Sequence, residues 1–405
     1  MVDYLGPELL WEKLGIRITV DPHSKCKRTS KPRLFNTANP TCGDNDLASD
    51  EEERAIIIQN NGKCDSPDDC RFGGSFKFEF KQRVEVYDIR VLDVDEDVYV
   101  TGTHLLGGEF DLGAVPQAGE GGHVTFPINK KNVIEVVVNT KGSTGLNKLR
   151  YKKCDGGGNG DPHFQTWTGY KFDYHGQCDL TLVNAPQHND GQGMDIQVRT
   201  TQRDFYSYIS AVAMKLGSSI MEVTYDGILI DGKLIKLEGS TEFDFHGYKT
   251  TFDDTPSESG RKQTVIEVHT GDYEHVTIKV FDKYMAVRVW NPEHKNFLGA
   301  KGLMGDYNSD QLLGRDGVTV FEDANLFGEH WQVNDSDPKL FSTTQEPQYP
   351  TMCVPAPGVN TGRKLRHGIT QEQAEDACAD ASDIDDCVFD IMATGDIHIA
   401  GAHEW

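Results

Sequence analysis

Gly160 to Leu180, GDPHFQTWTGYKFDYHGQCDL, decides how the rest of the chain is read. Pro162 restricts Asp161 to extended backbone. Phe164, Trp167, Tyr170, Phe172 and Tyr174 interleave with polar residues, the pattern of a twisted strand pair around a Thr168-Gly169 turn. Cys178 follows where a bridge could fix the end of the second strand.

Downstream of this hairpin, alternation at period two recurs at Met194-Ile196-Val198, Ile228-Ile230, Phe243-Phe245, Ile266-Val268, Val276-Ile278-Val280 and Met285-Val287-Val289. Asp226-Gly227, Asp231-Gly232 and His246-Gly247 supply turns between them, and the spacing predicts antiparallel sheets packed as a sandwich. Upstream, Gly156 to Gly160 reads as a linker. It lacks the G-K-[ST] ending and following helix of a phosphate loop.

Residues 1–153 alternate in the same way, at Ile16-Ile18-Val20, Ile56 to Ile58, Phe76-Phe78-Phe80, Val98-Val100 and Ile134-Val136-Val138. No long helical pattern interrupts them. The fold class expected is therefore mainly β: two antiparallel β-sandwich domains, 1–153 and 154–345, then a small disulfide-stapled helical tail, 346–405. In the tail, Thr370-x-x-Gln373 is a capping box. Ser382 is a second N-cap, Gly395 a stop, and Cys378 with Cys387 would staple two short helices.

The chain has 405 residues, with 64 acidic against 40 basic and a net charge of -24. That argues against nucleic acid and for solubility or cation binding. No apolar run is long enough for membrane insertion. The start lacks the basic-then-apolar pattern of a signal peptide, so the sequence reads as a mature or recombinant form. Nine cysteines without paired C-x-x-C spacing read as disulfides of an oxidising compartment, with one thiol left over. Cys64 and Cys70 bracket a five-residue loop and suggest a local bridge. Cys26 with Cys42, or Cys26 with Cys154, stay open. Asn334-Asp335-Ser336 is a glycosylation sequon.

Two acidic loops in the first domain carry Asp44 and Asp46, and Asp93 and Asp95. Solvated turns are the plainer reading. The sharper one is a calcium site, because hard cations take several oxygen ligands. His163, His175, His246 and His269 are scattered, and no H-E-x-x-H or G-x-S-x-G occurs. No catalytic constellation is visible.

The opening stretch resembles the start of a von Willebrand factor type D domain: Asp161-Pro162-His163, the Trp167-Thr168-Gly169 turn, and Gly176-Gln177-Cys178-Asp179-Leu180-Thr181-Leu182. With Trp167 and His175 it is most like the extracellular type D proteins of diatoms and related algae. Lys301 to Asp310, closing at Arg315-Asp316-Gly317, is similar to the family's G-L-C-G-N-x-[DN]-G loop. By position the resemblance implies calcium on Asp306, Asn308, Asp310 and Asp316. It departs at Met304, where the family has cysteine, and at Thr168, where relatives place a liganding Asp. It further implies a Cys178–Cys353 disulfide, a closing strand at Phe327 to Val333, and a cysteine-poor form of the following module at Cys387 to Asp396. In some relatives, mucins among them, the motif cleaves itself, which here would fall between Asp161 and Pro162; an uncleaved turn is the plainer reading. The first domain more loosely resembles a β-sandwich module of secreted and cell-surface proteins, entered part-way.

Together these features imply a secreted, non-enzymatic structural or adhesive protein, calcium-stabilised, that assembles with itself or with other extracellular proteins in a wall, mucilage or coat. The alternative is a calcium-dependent glycan-binding protein, for which Tyr99 and Phe110 are the stacking candidates. A metal-dependent hydrolase has no feature that asks for it.

Overall fold

The computed structural model describes residues 7–26, 29–49, 54–61, 63, 66–160, 162–203, 206–257, 260–309, 311–343 and 369–405. The chain divides into two compact units, Met1–Cys154 and Asp155–Trp405. Both are mainly β, and the C-terminal helices belong to the second.

In the first unit one antiparallel sheet runs in the order Arg33–Asn36, Arg54–Ile57, Gly145–Lys153, Gly74–Val94, Gly119–Thr140, Val98–His104 and Glu109–Ala114, with Ile16–Pro22 also on Gly74–Val94. The long strand Gly74–Val94 has different neighbours along its length. Its first half pairs with Ile16–Pro22, whereas beyond a register shift between Glu79 and Val84 it pairs with Gly145–Lys153. Such irregularities bend a sheet. Phe76, Phe78, Phe80, Val84, Val86 and Val91 thereby join one core with Val98, Val100, Val136 and Val138. A short helix, Pro7–Leu14, precedes the first strand.

Cys70 is bonded to Cys26, not to Cys64. The sequence spacing suggested a local bridge, but strand pairing overrides it. Pro22 stands opposite Gly74, and the His23 N–H donates to Gly73 O at 3.0 Å, which brings Cys26 beside Cys70. Cys64 lies outside the described residues.

The second unit packs two sheets. A six-stranded meander runs in chain order from Asp179–Ala185 through Met194–Arg203, Tyr206–Leu216, Ser219–Thr224 and Gly227–Ile230 to Lys233–Ile235. Facing it is an eight-stranded sheet in the order Lys171–Asp173, His163–Gln165, Gly156–Asn159, Tyr284–Trp290, His275–Phe281, Thr264–His269, Tyr248–Asp253 and Thr241–Phe245. The Tyr208 and Tyr284 rings meet edge-on between them, at 5.2 Å.

The glycine run is a strand, not a linker. Gly156–Asn159 lies between His163–Gln165 and Tyr284–Trp290. Its neighbours are too close for side chains: a Cβ on Gly157 would stand 2.2 Å from Val287 O, and one on Gly158 2.8 Å from the Phe164 ring. Of the expected closing strand, Trp331 to Val333 pair with Asp179–Ala185, but Phe327 to His330 lie in a helix, Ala324–His330, because the Asp323 carboxylate accepts from the Asn325 and Leu326 N–H groups and starts a turn there.

The tail forms the helices Gln371–Ala377 and Ile384–Thr394 and the 3-10 helix Ile397–His403. The Thr370 capping box is present, and Gly395 ends the second helix in left-handed conformation. The second N-cap is Asp383 rather than Ser382; its carboxylate accepts from the Asp386 N–H at 3.1 Å. The Cys378–Cys387 disulfide links the two helices. Ala374, Ile391, Ile399 and Ala400 share a core with Tyr206 and Tyr284, so this small element is held by the sandwich rather than standing alone.

Candidate functional site

The first hairpin forms as expected, with His163–Gln165 against Lys171–Asp173 and Gly169 at positive φ. Its turn rests on the second landmark loop. The Trp167 N–H donates to Met304 O at 3.0 Å, and the Trp167 ring packs edge-on against Phe297 and Tyr307, each at 5.3 Å. Tyr307 is fixed in turn by donating its hydroxyl to Pro292 O at 2.8 Å.

Of the four expected loop ligands, Asp306 is buried. Asn308 Oδ1 accepts from the Gly299 N–H at 3.1 Å. Asp316 is exposed and closes its own turn: Oδ1 accepts from the Val318 and Thr319 N–H groups at 3.0 and 2.9 Å, and Oδ2 from the Thr319 hydroxyl. These bonds, the hydroxyl first, hold its carboxyl down at about 2. Asp310 lies outside the described residues. Thr168 Oγ1 is 3.0 Å from Thr166 Oγ1, so the hydroxyl that stands for a liganding Asp is engaged within the hairpin.

In the first unit the fold gathers the two acidic loops and adds a residue the sequence reading passed over, Asp69, held by the disulfide at Cys70. Asp44 Oδ2 accepts from the Asp69 N–H at 3.1 Å. Asp69 Oδ2 accepts from the Ser143 hydroxyl and from the Thr144 N–H. Asp93 Oδ1 accepts from the Gly121 N–H at 2.9 Å. Burial, then repulsion from Asp68, Asp46 and Asp93, pushes Asp44 up to about 6. Burial, then Asp44 and Asp46, pushes Asp69 to about 7. Asp93 rises for the same reasons, with Asp46 and Asp95 as neighbours. Phe110, one of the two stacking candidates, is buried in the core, and Tyr99 is half-buried beneath Lys141.

The second unit contains a side-chain group that sequence spacing could not reveal, because its members lie up to 240 positions apart in 405 residues. His163 stands between two carboxylates, with Nδ1 2.6 Å from Asp173 Oδ1 and Nε2 2.7 Å from Asp390 Oδ1. The other Asp390 oxygen is 2.9 Å from His403 Nε2. His403 Nδ1 meets the Asn159 side-chain amide at 3.2 Å. Asp390 is fully buried, and His163 and His403 are 6% and 2% exposed. Burial disfavours an imidazolium at His163, but Asp390 and Asp173 outweigh it and raise its affinity for a proton well above the ordinary value. Conversely, burial would raise Asp390, and the two histidines overcome it and hold the carboxyl low. His163, Asp390 and His403 bring one ligand-type atom each within 4.8 Å of one another.

Charged pairs surround this group. Lys171 bonds Asp383 and Asp386, Lys283 and the Tyr284 hydroxyl bond Asp396, and Arg261 bonds Glu404. The helical tail is thus joined to the sandwich by a buried core, a buried polar group and a rim of ion pairs.

Cys178 is disulfide-bonded, and Cys353, the partner the resemblance implies, lies outside the described residues. Pro162 is buried, and Asp161 lies outside the described residues. Asn334 is exposed and accepts from the Ser336 hydroxyl. Among the described residues no helix is long and apolar enough to cross a membrane. No protein-family model and no curated protein matches the chain.

Proposed function

We propose that the protein is a non-enzymatic extracellular structural or adhesive module of the von Willebrand factor type D kind, disulfide-bonded and calcium-stabilised, acting by assembly with itself or with other extracellular proteins. The observation that carries this reading is the seat of the Trp167-Thr168-Gly169 turn on the Gly302–Gly305 loop, through the Trp167 N–H to Met304 O bond. The two landmark motifs, more than a hundred residues apart in the chain, meet in the fold. The Cys378–Cys387 disulfide within the tail and the ion pairs that tie the tail to the sandwich support a load-resisting role, and disulfides suit secretion.

Calcium fits the donor chemistry of both acidic regions, which offer oxygen and little else. Asp306, Asn308 and Asp316 would hold it in the second unit. Asp44, Asp46, Asp93 and Asp95 would hold it in the first, where the crowded carboxylates repel one another. The test is thermal unfolding of the oxidised full chain after chelator treatment, with and without excess calcium. A calcium-dependent rise in midpoint is expected, reduced in Asp306→Ala or in Asp44→Asn. Unchanged midpoints would remove calcium from the proposal.

A further inference from the structure

We propose that His163, Asp390 and His403 form a binding site for one divalent transition ion of the zinc class, distinct from any calcium. Two imidazole nitrogens and a carboxylate are the donors such ions prefer, whereas calcium takes oxygen. Counting both Asp390 oxygens, four donor atoms converge, since Oδ1 faces His163 Nε2 at 2.7 Å and Oδ2 faces His403 Nε2 at 2.9 Å. Ion–ligand distances of about 2.0–2.2 Å place donors roughly 3.3 Å apart around a tetrahedral centre. Each facing nitrogen–oxygen pair needs to widen by about half an ångström to admit the ion, and the three residues' ligand-type atoms lie within 4.8 Å of one another.

Two further observations mark a built site. Both rings are oriented from behind, His163 Nδ1 by Asp173 and His403 Nδ1 by Asn159, as outer partners orient metal-bound imidazoles. Space is also kept clear: a Cβ on Gly160 would come within 2.6 Å of Asp390 Oδ2 and 3.4 Å of His403 Nε2.

The experiment uses the full-length oxidised chain, stripped with chelator and dialysed against zinc, with bound metal counted by elemental analysis. One equivalent is expected, not displaced by excess calcium. His403→Gln and Asp390→Asn should each weaken it by tenfold or more, Asp173→Asn by about tenfold through the supporting bond, and His398→Gln, at an exposed histidine, not at all. X-ray absorption of zinc-loaded wild type should read two imidazole nitrogens, an outcome independent of whether any variant folds. Absence of bound zinc in the wild type overturns the proposal. So does zinc held equally by His403→Gln, or an ion with fewer than two imidazoles.

Discussion

Replacing Asp69 by Asn tests whether the first unit stores unneutralised negative charge. The amide keeps an oxygen for the Ser143 hydroxyl and the Thr144 N–H, so packing is preserved and one charge is removed. In the folded chain the Asp69 carboxyl is pushed from 3.8 to about 7 by burial and then by its acidic neighbours. The folded state therefore binds a proton that the unfolded state releases. Between about pH 4 and pH 7 the native unit binds more protons, so its stability falls as pH rises through this window. The displacement corresponds to at most about 4 kcal/mol. Solvent reaches Asp44 and Asp46, which screens their share, and about 1–2 kcal/mol is the working expectation. Without divalent ions, Asp69→Asn should then be more stable than wild type by that amount at pH 7.5 and nearly equal at about pH 3, below the unfolded carboxyl's 3.8. Excess calcium at pH 7.5 should shrink or reverse the gap, since the wild type gains more from the cation. Hydrogen exchange of peptides from Gly74–Val94, corrected for the intrinsic pH dependence of exchange, reads this unit within the intact chain. A variant less stable than wild type at pH 7.5 without calcium, or a difference independent of pH, would refute the reasoning.

Gly157→Ala should be strongly destabilising, by more than about 3 kcal/mol, because its Cβ would stand 2.2 Å from Val287 O in mid-sheet and neither backbone can retreat without breaking the ladder; a melt within a degree of wild type would contradict that placement. Cys70→Ser should cost more than Cys387→Ser, since the bridges span 44 and 9 positions and chain entropy gives about 4 against about 2.7 kcal/mol. Denaturant midpoints of the two oxidised variants, each compared with wild type, decide the order.

The sequence patterns that proved legible are those whose cause is local. Alternation of Phe76, Phe78 and Phe80 makes a half-buried strand wherever it docks, and all three rings are buried. Thr370 and Gln373 cap their helix through bonds three residues long. The hairpin at Thr168-Gly169 needs only its own turn. The errors occur where a distant partner decides. Gly156–Asn159 carries every local mark of a linker, and it is a strand because Val287 and Phe164 leave no room for anything larger. Cys70 ignores its neighbour at position 64 because the pairing of Ile16–Pro22 with Gly74–Phe80 delivers Cys26 to it.

The buried group in the second unit is the extreme case. His163 was visible as part of a motif, and a lone histidine in a β-rich chain is more often packing than ligand. Nothing in the residues around it points to Asp390 or His403, which sit on a helix and a 3-10 turn more than two hundred positions away. Yet one mark was there to be read. Asp390 lies in an amphipathic helix on the same face as Cys387 and Ile391, three positions after one and one before the other, and both of those are core residues. A carboxylate on the apolar face of a short helix must find a cation or several donors, because leaving it buried and unpaired costs far more than the helix gains by docking. The helix could dock only against a surface that already presented histidine, and the motif strand supplies it. The same physical demand that hides the partner from sequence spacing therefore fixes where the tail must lie: over the Asp173–His163 hairpin, with His403 brought in behind it.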